Sequence, residues 1–166
     1  TRVFGIDLRA LAVFRIALGL TLLVYVISMA LDIESLLTER GVLPVDAIWP
    51  AGSADAWYYA LVDAPAFVAL LLGAMAAASI LLATGIQTRM ANIFLWICVG
   101  VLVRRNPWAH NAQHVMTHFC LLWAMFLPLD ARWTLGRLRR DVRLQYVSPA
   151  TVGLILQVLF VYVTSG

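Results

Sequence analysis

Lysine is absent, and all twelve basic residues are arginine. A Schiff base or an amine general base supplied from within these residues is therefore excluded. Charge of either sign is scarce, at 13% of the chain, where a soluble domain carries about 25%. Cysteine is limited to Cys98 and Cys120. Both lie inside apolar runs and in no ligand-like spacing, so they read as free, buried, structural thiols. No secretory pattern opens the chain: the first apolar segment is too long, and no small-residue cleavage site follows it.

Apolar residues fill the space left by charge. They make up 63% of the 166 residues, against about 45–50% in ordinary soluble domains, and the mean hydropathy is +0.88. Both departures point to lipid as the solvent. The expected fold is an all-α integral membrane protein, a single transmembrane domain over residues 1–166 built as a bundle of about five transmembrane helices. The chain opens on Thr1 without an initiator methionine and closes on Ser165-Gly166 after an apolar run. It is expected to be an N-terminal portion of a longer protein.

A spanning helix needs about 20 mainly apolar residues, and five candidates run over about 8–31, 64–84, 88–103, 111–127 and 149–165. Asp7 is placed to cap the first. Pro65 sits in the first turn of the second and Gly85 stops it. The third is short unless it reaches back to Thr88. Pro128 stops the fourth, and Ser148-Pro149 opens the fifth. The mixed segment 32–63 holds Trp49, Trp57, Tyr58 and Tyr59, aromatics of the kind that collect at the membrane–water interface. It reads as short interfacial helices. Arginine placement sets the orientation: with the N-terminus inside, Arg2, Arg89 and the run Arg132, Arg137, Arg139, Arg140 and Arg143 fall on the cytoplasmic side. The small residues of the second span, from Gly73 to Ser79, read as a close-packing surface.

Three polar features fall within or beside the spans. Arg15 lies eight residues beyond Asp7, roughly 12 Å along the helix. It either snorkels to headgroups or faces a polar cavity or an anionic partner. Arg104 and Arg105 precede Asn106-Pro107 at the exit of the third span; two guanidinium groups there either anchor headgroups or bind a carboxylate or phosphate. His110, His114 and His118 fall at i, i+4 and i+8, so neighbours share one helix face. With Asn111, Gln113 and Thr117 they form a polar stripe that lipid cannot satisfy. Its readings are a metal or haem ligand pair, an acid–base or substrate-binding face in a cavity, and interhelical hydrogen bonding alone. His114 and His118 are the candidate catalytic residues. Arg15, Arg104, Arg105 and Asn111 are the candidates for binding a substrate or anion.

Several segments occur together in a characteristic order: IDLRALAVFRIALGL at 6–20, GVLP at 41–44 and GIQTR at 85–89, then the RNPxxxN pattern of Arg105–Asn111, FLPLDARWTLG at 126–136 and SPATVGLILQVLFVYVTSG at 148–166. Together they resemble the HTTM family, relatives of the membrane domain of the vitamin K-dependent γ-carboxylase. The resemblance covers essentially the whole chain. It implies a helical bundle with a cavity at membrane level, a bacterial inner-membrane location and a quinone as the candidate cofactor. In the animal carboxylase, a reduced quinone is oxidised by dioxygen and the strong base so formed deprotonates glutamate. Where the family carries small residues and an acid after its asparagine, this chain has Asn111-Ala112-Gln113-His114, and it has no lysine for a lysine-based reaction. Two functions are therefore weighed. One is a membrane protein with a polar intramembrane cavity for a quinone, lipid or anionic substrate. The other is a non-catalytic accessory subunit packed against partner transmembrane helices in a larger complex. The bilayer is the expected partner in both, and nucleic acid in neither.

Overall fold

The computed structural model describes residues 5–33, 64–105, 112–135 and 145–165. The fold is mostly helical. Among the described residues are five helices, α1 (Leu8–Leu31), α2 (Pro65–Thr84), α3 (Thr88–Arg105), α4 (Ala112–Ala124) and α5 (Pro149–Ser165), and two short strands, β1 (Ile6–Asp7) and β2 (Gln145–Tyr146). The interfacial helices expected within 32–63 lie, beyond Ile33, outside the described residues.

Local chemistry explains where the helices begin and end. The Asp7 carboxylate accepts a 2.7 Å hydrogen bond from the Arg9 amide and caps α1, which satisfies one of the orphan donors of the first turn. Pro65 occupies the first turn of α2, where a missing N–H costs nothing. At the other end Gly85 takes φ +85°, its amide donating to Leu81 and Leu82 while the Ile86 amide donates to Leu81. This left-handed closure favours glycine. Ser148 and Thr151 cap α5 reciprocally: the Thr151 amide donates to Ser148 Oγ and the Ser148 amide to Thr151 Oγ1.

Helix α4 stops at Ala124, three residues short of the expected Leu127. Pro128 disfavours helical geometry at the residue before it, and the chain tightens first. The amides of Met125, Phe126 and Leu127 donate to carbonyls three residues back.

Consecutive helices pack against each other, α1 on α2, α2 on α3, α3 on α4 and α4 on α5. Helix α1 buries Leu11, Arg15, Leu18, Leu22 and Val26 at helical spacing and leaves Val13, Leu20, Val24 and Ile27 exposed on its other side. Helix α2 does the same, burying Val68, Leu72, Met75 and Leu82 while Leu70 and Ile80 face outward. Both helices are thus apolar around their circumference, and both are long and apolar enough to cross a membrane. They approach closely at Gly19, where a Cβ would lie 2.9 Å from the Ala83 side chain and from the Ser79 carbonyl. Cys98 and Cys120 are free and buried.

Strands β1 and β2 pair antiparallel, Ile6 opposite Tyr146 and Asp7 opposite Gln145. This pairing brings the start of α1 and the start of α5 to one end of the bundle.

Candidate functional site

Helices α3 and α4 run antiparallel, and polar or aromatic side chains meet along their seam at three levels. Nearest the start of α4, the His114 ring lies against Tyr25 of α1, centroids 4.9 Å apart and planes tilted by 59°. One turn further, His118 stacks on Trp96 of α3 at 5.0 Å and 22°. Another turn on, the fully buried Asn92 donates from Nδ2 to the Leu121 carbonyl at 2.7 Å. The spacing of Asn92 and Trp96 on one helix and of His114, His118 and Leu121 on the other follows the helical repeat of each.

Beside the first level is a cavity of about 30 Å³, lined by Thr21, Leu22, Tyr25, Val99, His114 and Thr117. A single water needs about 10–15 Å³ and pockets for whole drug-sized ligands run to about 300 Å³ or more. The cavity therefore takes one small polar group and not an entire ring system. Leu22 and Val99 supply apolar wall; Thr21, Tyr25, His114 and Thr117 supply hydroxyl and imidazole atoms that donate or accept hydrogen bonds. Thr21 is exposed on the outer surface of α1 and the other polar residues are partly buried. Tyr25 Oη, Trp96 Nε1, His118 Nδ1 and Asn92 Oδ1 are buried with no hydrogen-bond partner among the described residues, leaving unused polar capacity along the seam.

The i, i+4 spacing of the histidines does place them on one face of α4, but their rings engage different helices, His114 with α1 and His118 with α3. No group of three or more His, Cys, Asp or Glu suited to a metal ion occurs among the described residues.

Arg15 belongs to a different place. It is ten residues before Tyr25 on α1, about 15 Å along the axis, and is wholly buried. It does not snorkel, and among the described residues its hydrogen-bond partners are backbone carbonyls. Nη1 donates to the carbonyls of Leu129 at 2.9 Å and Arg132 at 3.2 Å, and Nη2 to those of Trp133 at 2.7 Å and Ala83 at 3.3 Å. The planar fork of donors thereby ties α1, the end of α2 and the segment after α4 together. Three of the sequence segments quoted above meet here: Arg15 from 6–20, Gly85 from 85–89, and Leu129, Arg132 and Trp133 from 126–136.

Arg104 is exposed near the end of α3. The side chain of Arg105, and His110 and Asn111 altogether, lie outside the described residues. Of the expected site residues, His114 lines the cavity, His118 stacks one turn beyond it, and Arg15 is remote from both. Thr21, Tyr25, Trp96 and Asn92 were not singled out by sequence. The signal available for the first two was their i, i+4 spacing on α1, which puts two hydroxyls on one side of an apolar helix. No family model, no curated protein and no solved structure matches this chain.

Proposed function

We propose that this chain is a multi-pass membrane protein of the HTTM type whose working centre is the cavity between α1, α3 and α4. The observation that carries this reading is a polar cavity, lined by Tyr25, His114 and Thr117, set among helices whose outward faces are apolar. A polar lining at that depth is costly in lipid unless it serves a ligand or an internal contact. The meeting of three resemblance segments around Arg15 supports the family relationship, because those residues then share one structural task.

The ligand class follows from volume. About 30 Å³ admits a hydroxyl, carbonyl or carboxylate group, with the rest of the molecule left in the bilayer beside exposed Thr21. A quinone, a lipid or an anionic amphiphile meets that description, and His114 with the Tyr25 hydroxyl would hold its polar end. The proposed setting is the bacterial inner membrane with the N-terminus cytoplasmic, which puts the cavity in the outer half of the bilayer and Arg15 in the inner half.

The reading is tested by equilibrium binding of a short-chain benzoquinone and of a fatty acid to the purified protein in nanodiscs. Saturable binding of one of them is expected, weakened about tenfold in His114→Ala, as the loss of one hydrogen bond to a ligand implies, with thermal unfolding nearly unchanged. Absence of saturable binding by either probe, or equal binding by His114→Ala, contradicts it.

The accessory-subunit reading draws on α5. Its packing neighbour is α4, and Leu156, Leu159, Phe160, Tyr162 and Val163 face outward. Site-specific cross-linking from Phe160 in native membranes distinguishes the two: lipid adducts alone favour a self-contained protein, and a discrete protein adduct favours a subunit.

A further inference from the structure

We propose that the cavity beside Tyr25 and His114 takes an uncharged polar group of a membrane amphiphile, paired with the Tyr25 hydroxyl, and discriminates against a carboxylate. The inference rests on the cavity being the binding site, as read above, and narrows the class of ligand. Size does not make this choice, because about 30 Å³ admits a carboxylate as well as a hydroxyl. Charge does.

The lining of Thr21, Leu22, Tyr25, Val99, His114 and Thr117 contains no arginine and no acid, and His114 is its one basic side chain. Arg15 lies six residues before Thr21 on α1, about 9 Å along the axis, and its donors are directed to four backbone carbonyls. Arg104 is exposed, five residues beyond Val99 on α3 and about 7.5 Å along that axis. An ionised carboxylate seated in the cavity gives up hydration and meets no fixed counter-charge in the lining. That is far more costly than burying a hydroxyl or carbonyl, which one or two hydrogen bonds can offset.

A partner for such a group is in place. Tyr25 Oη is buried and has no hydrogen-bond partner among the described residues, a costly state for a hydroxyl. A ligand alcohol completes it as donor or acceptor, and a ketone or amide oxygen accepts from it. Thr21 lines the cavity and is also exposed, so the cavity opens on that side of α1. Exposed Leu20 and Val24 flank it there, one turn apart on the helix surface. An apolar tail leaving the cavity therefore lies along apolar side chains.

The test measures equilibrium binding of radiolabelled dodecanol, dodecan-2-one, dodecanamide and dodecanoate to the whole chain in phosphatidylcholine nanodiscs. The pH is 8, where a carboxylate is ionised and an ordinary imidazole is neutral. Affinities are expressed per mole fraction of ligand in the bilayer, so that partition into lipid does not enter. Amide and carboxylate share one shape and differ in charge, and this pair is decisive. Dodecanamide and at least one of the alcohol and ketone should bind saturably, each at least about tenfold more tightly than dodecanoate, as burial of an unpaired charge requires. Dodecanoate binding as tightly as dodecanamide overturns the proposal. So does binding of the alcohol alone with amide and carboxylate both rejected, because the selection is then by size. Tyr25→Phe removes only the hydroxyl, and should weaken binding of the uncharged ligands roughly three- to tenfold, the range of one neutral hydrogen bond, without lowering thermal stability. Unchanged binding by Tyr25→Phe overturns the pairing with Tyr25. Saturable binding by none of the four ligands overturns the reading of the cavity as a binding site, whereas binding without discrimination by charge overturns this inference alone.

Discussion

The guanidinium of Arg15 occupies the space where a side chain on Gly85 would begin. A Cβ at position 85 would come to 2.5 Å from Nη1 and 2.9 Å from Cζ, and to 2.7 Å from the Thr134 side chain. The turn that ends α2 and the arginine that binds the later segment therefore require each other.

Gly85→Ala should accordingly destabilise the protein in two ways. The left-handed backbone alone costs roughly 1–2 kcal/mol for a residue with a Cβ, and the contact with Arg15 adds to it. Gly73→Ala is the control: nothing lies within 4 Å of that position, and the mid-helix change should be neutral or stabilising by up to about 1 kcal/mol. Thermal unfolding of both variants in one detergent gives the comparison, and equal midpoints would remove the close-contact explanation.

Arg15→Leu should be more severe, because four carbonyls lose a charged donor in a buried place. A loss of about 3 kcal/mol or more is expected, since each stranded acceptor costs on the order of 1–3 kcal/mol. Arg15→Lys should recover only part of this, as one ammonium cannot reproduce the planar fork. Near-natural stability of Arg15→Leu, measured by urea or thermal unfolding, would mean that the carbonyl network contributes little.

The two histidines should separate. His118 Nδ1 has no partner among the described residues, so His118→Leu strands nothing and should cost about 1 kcal/mol or less, within the range of the lost ring stacking. It should also shift the emission of Trp96, its stacking partner. His114→Ala should leave Trp96 emission unchanged and alter ligand binding instead. Identical effects of the two changes on both readouts would contradict their assignment to different levels of the seam.

The helix ends were legible because their causes are local. Asp7, Pro65, Gly85 and Ser148-Pro149 each act on backbone groups within a few residues. The end of α4 was overestimated because the apolar run continues to Leu127 while the backbone is already tightening ahead of Pro128. Arg15 was legible as an anomaly and not as a cage, since carbonyl acceptors carry no residue signature. Nothing in FLPLDARW announces that three of its carbonyls turn inward. The histidine stripe was visible from spacing, but its division between Tyr25 and Trp96 depends on how α1 and α3 pack. The strand pair at Ile6–Asp7 is too short to give a period-2 pattern at all.

Cysteine accessibility in intact cells tests the multi-pass membrane account most directly, because natural Cys98 and Cys120 are buried and contribute little background. Single cysteines at Ser53 and Leu135 are the reporters; Leu135 serves better than its half-buried neighbour Thr134, being exposed. With the N-terminus inside, an impermeant maleimide added from outside should modify Ser53→Cys and spare Leu135→Cys until the membrane is permeabilised. The reverse pattern contradicts the orientation, and recovery of the protein in the soluble fraction with both positions modified after lysis contradicts the membrane account itself.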